Sequence, residues 1–273
     1  MEHIQERTMI QVASRDGTLI GYWTSGEGPP LLLVHGGVGD HSRWDALRPF
    51  LEPHFTVHAM DRRGRGASGD HPEWSIEREF EDVAAVVDAI AGRSGSTVAV
   101  YGHSGGGFCA FKAAALTTNI SKLVLYEGWP PVNPDAIAEP IEFVEQLEAM
   151  LAEGKQEEVV VRMLSEVVRM SDDEIDVYKA HPSWQKRVDS AHTLPRELRA
   201  FREQSFDPQQ AASISVPTLL LAGTEGPDWQ VETVAAAIPD AQVAILEGQG
   251  HTADIIAPEM VARRLLPFLG AGA

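Results

Sequence analysis

Leu31-Leu32-Leu33-Val34 is apolar at every position, without the alternation that marks a strand with one wet face. A run this short and this uniform suits a strand buried on both sides, and therefore a parallel sheet sandwiched between helices. Comparable runs recur at 55–60, 97–101, 122–126, 218–221 and 242–246. Helical spacing fills the gaps. Within 75–91, Ile76, Phe80, Val83, Ala84, Val87 and Ile90 fall three or four apart, Ser75 stands where it can cap the helix, and Glu77 and Glu79 occupy the first turn. Segments 108–116, 231–238 and 258–269 read the same way. Near the start, 8–13 and 19–23 flank Arg15-Asp16-Gly17, a turn signal, and predict a β-hairpin. The alternation predicts an α/β fold: an open, mostly parallel central sheet with helices on both faces.

One stretch breaks the rhythm. Residues 129–213 contain no strand signal, begin with the rigid Trp129-Pro130-Pro131-Val132-Asn133-Pro134, and continue into helix-like runs at 140–153 and 157–170. That is too long for a loop inside a compact domain. It predicts a helical cap, inserted over the C-terminal edge of the sheet, between core segments 1–128 and 214–273.

Charge narrows the partners. The 22 basic and 40 acidic residues leave a net charge of −18, a field that repels nucleic-acid backbones and anionic lipid, so neither is an expected partner. A single cysteine, Cys109, cannot form an internal disulfide. The segment from Met1 to Arg7 holds no apolar stretch of the signal-peptide kind, and no window reaches the roughly 18 apolar residues of a membrane helix. A cytoplasmic location is the expectation.

The chemistry concentrates in Val100-Tyr101-Gly102-His103-Ser104-Gly105-Gly106-Gly107-Phe108. Here G-x-S-x-G stands directly after an apolar strand and directly before a helical run. In that context the serine occupies a sharp, strained turn, with its hydroxyl exposed at the sheet edge and a helix N-terminus aimed at the reacting centre. Side chains two positions to either side would collide, which requires glycine at 102 and 106.

Leu33-Val34-His35-Gly36-Gly37 resembles the H-G-G loop of the α/β-hydrolase superfamily. Asp61-Arg62-Arg63-Gly64-Arg65-Gly66-Ala67-Ser68 looks like that family's D-x-R-G-x-G-x-S turn, and Gly248-Gln249-Gly250-His251 like its histidine loop. The four motifs come in family order and span most of the chain. The resemblance implies Ser104 as nucleophile, His251 as base, and the N–H groups of Gly37 and Gly105 as oxyanion donors. Neutral histidine suits the base role near pH 7.

The acid departs from the usual pattern. The family's G-x-x-D after the cap meets Gly223-Thr224-Glu225-Gly226-Pro227-Asp228, with a glycine where the aspartate should stand. Some haloalkane dehalogenases carry the acid at the end of the strand before the cap, where this chain has Glu127. Glu127 therefore ranks first, Asp228 second and Glu225 third. A serine at 104 cannot form the alkyl-ester intermediate of dehalogenases or epoxide hydrolases. His35, His103, Trp129 and Trp184 are candidates for the substrate pocket. Gly64-Arg65-Gly66-Ala67-Ser68-Gly69 matches G-x-G-x-x-G but opens no helix, so it is not read as a dinucleotide site. His54 and His58 do not form an ordered metal-ligand set, and Cys109 reads as a core thiol. No cofactor and no metal are expected.

The leading expectation is a serine hydrolase acting on an ester, thioester or lactone of a small apolar molecule through an acyl-enzyme. A C–C bond hydrolase, or a tailoring enzyme of aromatic or polyketide metabolism, uses the same residues. A slow, ligand-binding member of the fold is the alternative outside catalysis.

Overall fold

Alternate residues of each central strand pack to opposite sides, and both sides are dry. Leu32 and Val34 join one hydrophobic cluster with Val98, Val100, Leu123, Leu125, Leu220 and Ala222. Leu31 and Leu33 join a second with Ala99, Tyr101, Val124, Tyr126, Leu219 and Leu221. Two-sided burial is why the middle of each of these strands is apolar.

The computed structural model describes residues 7–134, 139–225 and 229–271. Its single sheet holds β1 (Thr8–Ala13), β2 (Leu19–Ser25), β3 (Pro30–Val34), β4 (Thr56–Met60), β5 (Val98–His103), β6 (Ile120–Tyr126), β7 (Thr218–Gly223) and β8 (Ala241–Leu246). Spatial order is β1-β2-β4-β3-β5-β6-β7-β8. β1 pairs antiparallel with β2 and β2 with β4, and the remaining pairings are parallel. On one face, α2 (Ile76–Ser94) and α3 (Gly105–Ala113) supply Phe80, Val83, Phe108 and Phe111 to the core. On the other, α1 (Arg48–Leu51) and the helix Pro258–Leu269 supply Leu51, Val261 and Leu265. Ser75 does sit at the N-cap of α2, but its side chain makes no capping bond. Of the first-turn acids, Glu79 is buried and its Oε2 accepts from Arg62 Nε at 2.8 Å, so part of that turn serves a tertiary contact.

β3 is the turning point of this topology, with β4 on one side and β5 on the other. Loops leaving β3 and β5 diverge there, and α/β sheets bind ligands in the crevice that results.

Between β6 and β7 the described residues are helical: Ile141–Ala152, Gln156–Arg162, Asp172–Ala180, Trp184–Asp189, Thr193–Arg202 and Pro208–Ala212. The helix expected across 157–170 is not continuous. Gln156–Arg162 passes into a π-helical turn, Met163–Val167, and Arg169 then adopts a left-handed conformation at φ 63°. Phe143, Leu147, Val160, Met163, Ile175 and Leu194 form a hydrophobic cluster of their own. Pro208–Ala212 instead sends Ala211 into the cluster beneath the sheet. Among the described residues no helix is long and apolar enough to cross a membrane.

Candidate active site

Ser104 directly follows β5 and caps α3 with φ 54° and ψ −131°, a conformation that costs a non-glycine residue about 1–3 kcal/mol. Neighbouring backbone holds it there. Its N–H donates to the Tyr126 carbonyl of β6 at 2.9 Å, and its own carbonyl accepts from Phe108 N–H at 3.0 Å. The flanking glycines leave no room for a side chain. A Cβ on Gly106 would lie 2.3 Å from the carbonyl oxygens of Val34 and His35, and one on Gly102 would lie 2.5 Å from Gly107 Cα. Gly128 is equally constrained, since its Cβ would fall 2.5 Å from the Ser104 carbonyl oxygen.

The loop after β3 closes over this turn. His35 is fully buried, its Nδ1–H donates to the Gly36 carbonyl at 2.7 Å, and its Nε2 accepts from Arg62 N–H at 3.1 Å. Burial, together with the charges of Arg65 and Arg62, pushes the His35 pKa well below its ordinary value, so the ring is neutral. Because a peptide is planar and trans, fixing the Gly36 carbonyl also fixes the direction of the Gly37 N–H. The next peptide is held too, since Arg65 Nε donates to the Gly37 carbonyl at 3.1 Å. Gly105 is the first residue of α3, where a helix leaves its N–H without an internal partner. Both Gly37 and Gly105 line the cavity into which Ser104 opens.

Glu127 follows β6 and is also left-handed, at φ 44°, with 1% exposure. One carboxylate oxygen accepts from Gly223 N–H at 2.8 Å, and the other lies 2.6 Å from His251 Nδ1. His251 sits on the loop after β8, and its ring stacks on Trp229, with centroids 5.8 Å apart and planes 12° from parallel. Its carbonyl accepts from His103 Nε2 at 2.7 Å. Glu225 is exposed beyond β7 and its backbone N–H donates to the Gln249 carbonyl. Asp228 lies outside the described residues.

Ser104, His251, Glu127, Gly37 and Gly105 thus converge on one cavity of about 590 Å³, within the range of small-molecule sites. Phe108, Trp129, Met163, Val168, Phe201 and Trp229 form much of its apolar wall. Of the two tryptophans singled out in the sequence, Trp129 lines this cavity. Trp184 does not, which corrects that expectation: it packs against the helical cluster, and its Nε1 donates to Glu157. His35 supports the loop from behind and stays off the wall of the cavity. His103 reaches only a satellite cavity of about 30 Å³ beside Ser104. Burial, then the charges of Arg43 and His251, lowers the His103 pKa well below its usual value.

Sequence reasoning missed Trp229, the ring stacked on His251. It also missed Arg43, whose guanidinium makes two bonds to buried Asp254, at 2.7 and 3.0 Å, immediately below the histidine loop. Arg43 and Asp254 are 211 residues apart, and no local pattern announces such a pair. Cys109 is buried, and burial raises its thiol pKa far above the ordinary range, as expected of a core thiol. Asp40, His41 and Asp61 bring possible ligand atoms within 4.8 Å of one another. The Asp61 oxygens are already occupied by Trp23, Ala67 and His41, which leaves little capacity for an ion.

Neutral buried histidines carry a cost in acid. His58 on β4 has a pKa lowered by burial to about 4, below the roughly 6.5 of an unfolded histidine. Between these values the unfolded chain binds a proton that the native chain does not, so stability is lost as pH falls through that window. From pH 7 to 5 the expected loss from His58 is roughly 2 kcal/mol. Urea titrations should show it, and His58→Gln should remove that part of the pH dependence.

The alpha/beta hydrolase family model matches residues 31–264. A crystal structure of an alpha/beta hydrolase from Sphaerobacter thermophilus is 36% identical and superposes with a TM-score of 0.80, covering 95% of this chain and 100% of that one. A non-heme haloperoxidase from Rhodococcus erythropolis is 27% identical over 94% of this chain and 98% of its own. A 2-hydroxy-6-oxo-6-(2'-aminophenyl)hexa-2,4-dienoic acid hydrolase from Metapseudomonas resinovorans is 24% identical over 98% of this chain and 94% of its own.

Proposed function

The chain belongs to the alpha/beta hydrolase family, and from that premise we propose a cofactor-independent serine hydrolase that cleaves an ester, thioester or lactone of a small apolar molecule. The observation that carries this reading is the 2.6 Å contact between His251 Nδ1 and Glu127, on the same cavity as Ser104. A carboxylate on Nδ1 fixes the tautomer that leaves Nε2 free as the base, and stabilises the imidazolium that forms.

Ser104 Oγ attacks the substrate carbonyl as His251 takes its proton. The N–H groups of Gly37 and Gly105 receive the oxyanion, and donors of this kind are worth about 3 kcal/mol each. His251 then protonates the leaving group, and an acyl-Ser104 intermediate remains. Water activated by the same histidine releases the acid and regenerates the serine. The helical segment between β6 and β7 serves as a cap, whose Met163, Val168 and Phe201 give the cavity its apolar wall and keep bulk water from the reacting atoms.

A second reading, hydrolysis of a carbon–carbon bond beside a ketone, uses the same residues. It draws on the relative named as a dienoic acid hydrolase and on Arg169, the one Lys or Arg among the described residues of the cavity wall. A substrate carboxylate would be placed there.

A fluorophosphonate probe with intact-mass and peptide analysis, followed by a p-nitrophenyl ester chain-length panel, tests the first reading. We expect one adduct on Ser104, with turnover of short and medium acyl chains ahead of long ones. Labelling without ester turnover, but with cleavage of a vinylogous 1,5-diketone acid, would favour the second reading. Binding of esters with neither reaction would identify a ligand-binding member of the fold.

A further inference from the structure

Four buried charges lie behind the loop after β3: Arg62 and Arg65 from the turn after β4, Glu79 from α2, and Glu197 from the helix Thr193–Arg202. Arg62 NH2 lies 2.5 Å from Glu79 and 3.1 Å from Glu197, and Arg65 NH2 lies 2.5 Å from Glu197. Two positive and two negative groups balance. Burial opposes ionisation of Glu197, but the charges of Arg62 and Arg65 outweigh it, and its pKa is lowered.

Glu197 belongs to the helical segment between β6 and β7, whereas its partners belong to the core. Arg65 reaches both ways. One terminal nitrogen is held by Glu197, while its Nε donates to the Gly37 carbonyl at 3.1 Å. One turn along the same helix, Phe201 packs on the other candidate oxyanion donor, since a Cβ on Gly105 would meet Phe201 Cζ at 3.1 Å. Leu194, Glu197, Leu198 and Phe201 fall three and four apart and all line the cavity. A single helix face therefore touches the substrate space, the tether of Gly37 and the surface of Gly105.

We propose that Glu197 is a positioning residue: by holding Arg65 against the Gly37 carbonyl, it couples the seating of the cap helix to the geometry of the oxyanion hole. The inference rests on the serine-hydrolase reading above. Substrate that packs against Leu194, Leu198 and Phe201 steadies the helix that sets the loop. The interaction acts on the transition state, where the oxyanion exists, more than on the bound substrate.

The test compares Glu197→Gln, Arg65→Gln, the double variant and Glu148→Gln. Glu148 pairs with Arg199 of the same helix at 2.9 Å, on the exposed side, so Glu148→Gln should keep wild-type kinetics. For Glu197→Gln we expect kcat to fall about 10- to 100-fold with KM within about threefold, less than the full loss of an oxyanion donor. Inhibition by an alkylboronic acid, which forms a tetrahedral adduct on the serine, should weaken by the same factor as kcat. The double variant should be no slower than Arg65→Gln. It also keeps the buried cluster neutral, so it carries the test if Glu197→Gln fails to fold. A folded variant with wild-type kcat, or a loss confined to KM with boronate affinity unchanged, would overturn the proposal. Fluorophosphonate labelling runs alongside: a wild-type chain unlabelled at Ser104 would refute the serine-hydrolase reading itself, whereas labelling with unchanged kcat in the variants would refute only the role of Glu197.

Discussion

Ser104→Ala is expected to abolish both phosphonate labelling and ester turnover while leaving the melting temperature within a few degrees of wild type. The substitution removes one oxygen from a turn whose shape is dictated by its neighbours. The Ser104 N–H is held by β6, and Gly102, Gly106 and Gly128 pack so closely that the chain has no other route. Alanine at φ 54° is strained as serine is, so the fold should hardly register the change. Removing the nucleophile of such a unit costs about a millionfold in kcat in other serine hydrolases. His251→Ala should act almost as severely, and Ser104→Ala/His251→Ala no more so, because nucleophile and base operate as one unit. Turnover comparable to wild type in Ser104→Ala would end the serine mechanism. A double variant far slower than either single would show that the two act independently.

Glu127→Gln should lower kcat by about three to four orders of magnitude, the scale seen when a triad carboxylate becomes an amide. Size and shape are retained. An amide that presents its NH2 to His251 Nδ1 would leave the imidazole in the wrong tautomer and the imidazolium without a counter-charge. The Gly223 N–H can still donate to the amide oxygen, so the strand end should stay in place and unfolding should change little. Asp228→Asn and Glu225→Gln should keep most of the wild-type rate under the same assay. If Asp228→Asn instead removes activity and Glu127→Gln does not, the acid belongs to the loop after β7, and the serine chemistry stands with a different third member.

The strands were legible because each central strand is apolar on both faces. Their observed bounds at 30–34, 56–60, 98–103 and 120–126 depart from the apolar runs by a residue or two. The turn at Ser104 was legible for a steric reason, since only glycines fit where the backbone passes within contact distance of β3. Glu127 was visible as an acid directly after the apolar Leu123-Val124-Leu125-Tyr126. What escaped was whatever depends on distance in the chain. Arg62 meets Glu197 across 135 residues, and neither residue carries a mark of its partner. Trp184 misled because an aromatic in an amphipathic helix serves a local core as readily as a ligand wall. The π-helical turn at Met163–Val167 looked like ordinary helix, since it is a single five-residue turn that directly continues Gln156–Arg162.

The sheet order has a consequence for how these residues are brought together. Ser104 and Glu127 leave adjacent strands, β5 and β6, tied directly by the bond from Ser104 N–H to the Tyr126 carbonyl. Those two strands lie in the interior of the sheet, so the placement of Ser104 and Glu127 is as permanent as the core. His251 alone arrives from outside, on the loop that follows β8, the outermost strand, which has a single sheet neighbour in β7. A margin strand frays before a central one. On the proposed mechanism, loosening of β8 would withdraw His251 while Ser104 and Glu127 keep their places, and catalytic rate would then report the docking of one edge rather than the integrity of the whole.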